Sequence, residues 1–222
     1  MSELNVTVNP DDFIIARKRK KYRFAQFQNA DNCFELADWK PIRAKHLVVE
    51  VGAGTALFLV ELARRHPEQT FIALDVKADR LQKGARQALE LGLTNIFFVR
   101  ARADQLLEVV KEQSVRDIWL TFSDPFPKKS DAKRRLTYSK FLELYKTAHV
   151  PENAQLLIKT DSHALFDWSL ERLVSTGWNV TQLTYDLHES DFLDDYKIMT
   201  TYERKWITEG KTIYFVLAES AT

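Results

Sequence analysis

From His46 onward the chain alternates short β-rich runs with helical patterns, and this alternation restricts its fold more than any other feature. The runs are HLVVEV (46–51), TFIALD (70–75), NIFFVR (95–100), DIWLTFS (117–123), AQLLIKT (154–160), WNVTQLTY (178–185) and TIYFVLA (212–218). Helix-like segments fill the gaps at 55–66, 77–91, 103–113, 137–149 and 163–176. Strands that are apolar almost throughout belong to a sheet covered on both faces. Strands alternating with helices form a doubly wound, mostly parallel α/β sheet. The expectation is a seven-stranded domain over 46–222, preceded by a basic extension over 1–45. The last two strands flank a polar stretch, 186–211, and read as an edge pair with a long insert.

A chain of 222 residues suits one domain with a core of its own. Cys33 is the only cysteine, so no internal disulfide forms, which fits a reducing, cytoplasmic setting. The start, MSELNVTVNPDDF, lacks the basic and apolar regions of a secretory leader. No apolar stretch is long enough to span a bilayer, so no membrane partner is expected. The five histidines show no ligand spacing and no metal is expected; His188, in DLHESD, reads as a surface-loop residue. The five tryptophans read as packing residues.

Net charge is +1, but its distribution is uneven. Arg17 to Arg23 (RKRKKYR) holds six cations and no acid, and Lys128 to Arg135 (KKSDAKRR) holds five cations and Asp131. The rest of the chain is therefore acidic. Two basic segments on an acidic body point to localised contact with a polyanion.

Ligands of doubly wound sheets sit beyond the carboxyl ends of the strands, near the point where strand order reverses. The first strand ends in VVEVGAGTALF. Gly52 and Gly54 allow a tight turn and close approach to a ligand. The dinucleotide pattern G-x-G-x-x-G fails, because Leu57 stands at its third glycine. Glu50 beside the loop repels a pyrophosphate and suits a ligand with a positive amino group, such as S-adenosylmethionine. Asp75 ends the second strand, where a carboxylate accepts hydrogen bonds from a ribose diol. Asp124 ends the fourth strand and opens the turn Asp124-Pro125-Phe126-Pro127. The prolines stiffen that turn, Phe126 can stack on a planar base, and the cations that follow can hold the phosphates around it.

These residues resemble the bacterial tRNA (guanine-N7)-methyltransferases. The resemblance rests on VEVGAG, FSDPFPKKSDAKRRLTY, KTD (159–161) and IMTTYERKW (198–206), and covers most of the chain from about Asn29. It implies a Rossmann-like class I methyltransferase fold, S-adenosylmethionine as methyl donor, and a guanine in the tRNA variable loop as substrate. It places Glu50, Gly52, Gly54, Asp75, Arg102 and Asp124 at the donor. It places Lys128, Asp161, Thr200, Thr201, Tyr202 and Glu203 at the substrate, and Ser130, Asp131, Ala132, Lys133, Arg134 and Arg135 on the RNA. Asp124 is the candidate catalytic residue. Guanine N7 has an in-plane lone pair and no proton, so its attack needs no general base; positioning and a carboxylate facing the cationic product are sufficient chemistry. Asp124, Asp161 and Glu203 are the candidate acceptors for the N1 and N2 donors of guanine.

Four positions depart from the family pattern. Ala56 replaces the last glycine of G-x-G-x-G, Asp75 stands for a glutamate, and Arg102 falls where an aspartate faces the adenine, with Asp104 close by. Thr200-Thr201-Tyr202-Glu203 stands for T-E-Y-E. Two other readings compete: a methyltransferase acting on another RNA base or a protein amine, and an RNA-binding protein with a degenerate cofactor pocket.

Overall fold

The computed structural model describes residues 7–220 except 14, 16, 17, 113 and 151. The first member of the 17–23 basic run, Arg17, lies outside the described residues, as does the side chain of Thr201. Seven of the strands are those expected from apolar runs: β2 (Leu47–Val51), β3 (Thr70–Asp75), β4 (Ile96–Arg100), β5 (Asp117–Thr121), β6 (Gln155–Thr160), β7 (Trp178–Thr184) and β8 (Tyr214–Ser220). An eighth, β1 (Cys33–Glu35), was not expected, and it brings part of the presumed extension into the sheet.

The strand order is β1-β4-β3-β2-β5-β6-β8-β7. The first six pair in parallel, β8 runs antiparallel to β6, and β7 runs antiparallel to β8. Order reverses between β2 and β5, so the crevice opens there, at the carboxyl ends of the strands. This is the doubly wound, mostly parallel α/β sheet expected from the sequence, with an antiparallel pair at one edge.

Both faces of the sheet are covered, which is why β2 is buried along its whole length. On one face lie α1 (Lys18–Gln28), α2 (Leu57–Arg65) and α3 (Ala78–Glu90), which contribute Phe27, Phe58, Leu59, Leu81 and Ala85 to one core. On the other lie α4 (Leu106–Val109), α5 (Ser139–Ala148) and α6 (His163–Ser175), which contribute Val109, Phe141, Tyr145, Phe166 and Leu173 to a second. The segment before His46 is tied to this body at several points. Phe27 is buried, and Trp39 packs edge-on against Phe34 while its indole N–H donates to the Val109 carbonyl at 2.7 Å. A last helix, α7 (Thr201–Thr208), lies in the long insert between β7 and β8 and packs Trp206 against the first core. Among the described residues no helix is long and apolar enough to cross a membrane, and no group of three metal-ligating side chains converges.

Candidate active site

The loop after β2 forms one wall of a cleft of about 260 Å³ at the strand ends. Its backbone is left-handed at Gly52 (φ 75°), Gly54 (φ 56°) and Ala56 (φ 52°). At Gly52 a Cβ would stand 2.9 Å from Leu136 Cδ1, so both conformation and contact call for glycine. The loop is tied to the neighbouring strand: the N–H groups of Gly52 and Ala53 donate to the Leu74 carbonyl, and the Gly54 N–H donates to Asp75 Oδ2 at 2.8 Å. The other Asp75 oxygen accepts from the Lys77 N–H at 2.8 Å. Asp75 thus braces two loops while still lining the cleft.

Glu50, the penultimate residue of β2, lies just before this loop at 1% exposure. Its Oε1 accepts the Thr121 hydroxyl, and its Oε2 is buried with no partner among the protein groups. Burial is the main force pushing its pKa up to about 8; Asp75 adds to the rise, while Thr121 and the charge of Lys159 oppose it. A buried, half-satisfied carboxyl on the wall of a cleft is an unmet demand for a hydrogen-bond donor or a cation.

The opposite wall is the turn after β5. Phe122 (φ 49°) and Phe126 (φ 41°) both hold left-handed backbone. A bulky residue there carries strain of about 1–3 kcal/mol, and such strain gathers at functional sites. Asp124 is exposed and lines the cleft with Phe126, Arg134, Thr200 and Tyr202. Thr121 and Arg80 also line it, and no motif in the sequence points to either.

A family model described as "Putative methyltransferase" matches residues 44–216. A tRNA (guanine-N(7)-)-methyltransferase of Cytophaga hutchinsonii is 34% identical over 91% of this chain and 97% of its own length. Enzymes of the same name from Mycoplasmopsis pulmonis and Staphylococcus saprophyticus are 38% and 39% identical, over 78% and 76% of this chain and 83% and 78% of their own. The chain belongs to the tRNA (guanine-N7)-methyltransferase family. Solved structures share its fold: the 16S rRNA methyltransferase KamB has a TM-score of 0.61 at 18% identity, covering 81% of this chain and 90% of its own. The 16S rRNA (adenine(1408)-N(1))-methyltransferase from Catenulisporales acidiphilia has a TM-score of 0.57 at 16% identity, covering 97% and 94%.

Several positions that the tRNA (guanine-N7)-methyltransferase pattern singles out sit differently from expectation. Ala56, where the family often has glycine, is left-handed and 1% exposed, so this chain carries at that point a conformation glycine adopts freely. Arg102 is exposed, pairs with Asp104 through two N–H···O contacts, and lies outside the cleft wall, which is formed there by Ala101 and Ala103. The paired Asp104 carboxylate holds the guanidinium pKa above its ordinary value. Neither side chain presents a free acceptor to the cleft.

Glu203 is the largest correction. It was expected as a free carboxylate for guanine, yet it is 0% exposed. Oε1 meets Lys159 Nζ at 2.7 Å and His188 Nε2 at 2.8 Å, and Oε2 accepts the Thr200 N–H at 3.1 Å in a capping box that starts α7. His188 is accordingly half-buried and bonded, not a free surface-loop residue. Lys159 is also 0% exposed and donates to the carbonyls of Tyr196 and Ile198 at 2.9 and 2.8 Å. Burial pulls its pKa down, against the opposing pull of Glu203 and Glu50. This buried knot straps 196–203 to β6 and so sets Thr200 and the exposed Tyr202 ring on the rim of the cleft. A cation inside the apolar run LLIKT was the available signal, because a buried lysine needs a partner.

Asp161 is half-buried, and its Oδ2 lies 3.3 Å from Lys211 Nζ. Lys128, Ser130 and Lys133 are exposed around the short helical turn Lys129–Arg134, with Asp131 and Ala132 half-buried within it. Asp131 stands 3.7 Å from Arg134. Of the five cations of the segment, Arg135 is the one that is half-buried.

Proposed function

We propose that this chain transfers a methyl group from S-adenosylmethionine to N7 of a guanine in the tRNA variable loop. The observation that carries the reading is the unpartnered, buried Glu50 oxygen on a cleft whose far wall is the Asp124–Pro127 turn with its adjoining cations. That oxygen fits the ammonium of the donor, and the glycine loop leaves room beside it: a Cβ added at Gly54 would meet nothing within 4 Å. Asp75 spends one lone pair of each oxygen on backbone N–H groups and keeps the others for a ribose diol. When bound, the donor supplies a methyl on sulfur whose departure leaves a neutral thioether and puts positive charge on guanine.

The chain's own groups then have three tasks. Exposed Lys128, Lys129 and Lys133 hold RNA phosphates. Phe126, Thr200 and Tyr202, which line the cleft, enclose the base. Asp124, an open carboxylate in the cleft wall, faces the charge that grows on the purine and stabilises it more in the transition state than in the ground state. No residue has to remove a proton, because N7 carries none.

Incubation with labelled donor and unmodified tRNA, followed by nucleoside analysis, tests this. N7-methylguanosine is the expected product. Label on another nucleoside or on protein would move the reaction to another target. Tight tRNA binding with no measurable donor binding would leave the RNA-binding reading with a degenerate pocket.

A further inference from the structure

The basic block 128–135 is not uniform. Lys133 and Arg134 are exposed, and the Arg134 guanidinium lies 4.3 Å from the Phe126 ring centroid. Arg135 is half-buried. Its Nε donates to the Pro125 carbonyl and a terminal nitrogen donates to the Phe126 carbonyl, both at 3.0 Å. The face of the same guanidinium sits 4.5 Å from the ring centroid of Trp168 on α6, and Trp168 stacks on Tyr138 at an interplanar angle of 12°.

The turn needs this hold. Phe126 is left-handed and precedes Pro127, where extended backbone is favoured. Pro125 and Pro127 have no N–H, so the turn has few donors of its own. Arg135 supplies two, aimed at successive carbonyls, and is itself fixed by an aromatic face. The residues thereby held, Asp124 and Phe126, line the cleft.

We propose that Arg135 is a positioning residue for methyl transfer: it fixes the 124–127 turn in the cleft wall and does not grip an RNA phosphate. This rests on the reading of the cleft given above. Lysine keeps the charge but lacks the planar fork that reaches two carbonyls while stacking. Arg135→Lys therefore separates the two roles.

Single-turnover methyl transfer at saturating donor and tRNA, tRNA binding across a salt series, and thermal unfolding are measured for Arg135→Lys, Arg135→Ala, Lys133→Ala and Trp168→Phe. Arg135→Lys should slow transfer about tenfold to a hundredfold, nearly as far as Arg135→Ala, as expected when a reacting surface is misplaced. The salt slope of tRNA binding should stay at the wild-type value in both, whereas Lys133→Ala should lower it by about 0.7–0.9. In an Asp124→Asn background the cost of Arg135→Lys should shrink, because the arginine acts through that turn. A normal rate in Arg135→Lys, a slope loss in Arg135→Ala matching that of Lys133→Ala, or additive losses with Asp124→Asn would each overturn the proposal. If Arg135→Ala unfolds, Arg135→Lys and Trp168→Phe carry the test, and a normal rate in both counts against it. A wild-type protein that fails to methylate tRNA would instead overturn the reaction itself, before any variant is compared.

Discussion

Glu50 makes donor binding depend on pH in a way that can be worked out in advance. Its pKa is raised from 4.5 to about 8, chiefly by burial. At pH 7 about nine-tenths of the unliganded protein therefore carries a proton there. An ammonium on the unpartnered oxygen requires the carboxylate, so binding at pH 7 should release about 0.9 proton per site. Affinity should tighten about tenfold per pH unit between roughly pH 5.5 and 7, or about 1.4 kcal/mol per unit, pass through a maximum near pH 8, and weaken above it as the donor's own ammonium loses its proton. The stability of the free protein runs the other way. Its folded pKa lies above the unfolded value, so the contribution is complete below pH 4.5 and is lost as pH rises toward about 8. Titration calorimetry with S-adenosylmethionine in two buffers of different ionisation enthalpy reads the released protons. Glu50→Gln keeps the shape; it should abolish the release, flatten the pH profile and weaken binding at pH 8 by about 1.5–3 kcal/mol. Binding without proton release in the wild type, or an unchanged pH slope in Glu50→Gln, would refute the reasoning.

Asp124→Asn should lower single-turnover methyl transfer by at least about a hundredfold, with tRNA affinity nearly unchanged, since its charge acts on the transition state; rates at saturating substrates check this. Replacing Lys129 and Lys133 together by alanine should lower the salt slope of tRNA binding by about 1.5, read from filter binding across a salt series. Lys159→Met should destabilise the fold by about 3–5 kcal/mol, because it leaves Glu203 buried without its cation; the double variant Lys159→Met with Glu203→Gln should recover part of that loss in urea unfolding.

The sheet was legible because its inner strands are apolar along most of their length and stand between helical patterns, while the exposed edge strand β7 showed through its β-branched and aromatic residues. β1 was not: it has three residues, lies at the sheet edge and is only partly buried, so its pairing with β4 leaves little mark on the sequence. Residues at strand ends, such as Glu50, Asp75 and Asp124, were legible because topology alone places them in one crevice. The orientation of Arg135 was not, since it depends on Trp168, which reaches it from another helix. Nor was the burial of Glu203. Its spacing matched a substrate motif, but the partners that claim it lie 15 residues away at His188 and 44 away at Lys159. A motif fixes which residue types meet; tertiary contact decides which of them remain free for a ligand.

The central claim concerns one atom of one base. N7-methylation makes the guanine ring open to reduction, after which aniline cleaves the RNA strand at that nucleotide. Unmodified tRNA incubated with the protein and S-adenosylmethionine should, after borohydride and aniline treatment, give a single new cut at a guanine in the variable loop, absent without donor. An uncut tRNA, or a cut elsewhere in the molecule, would contradict the account.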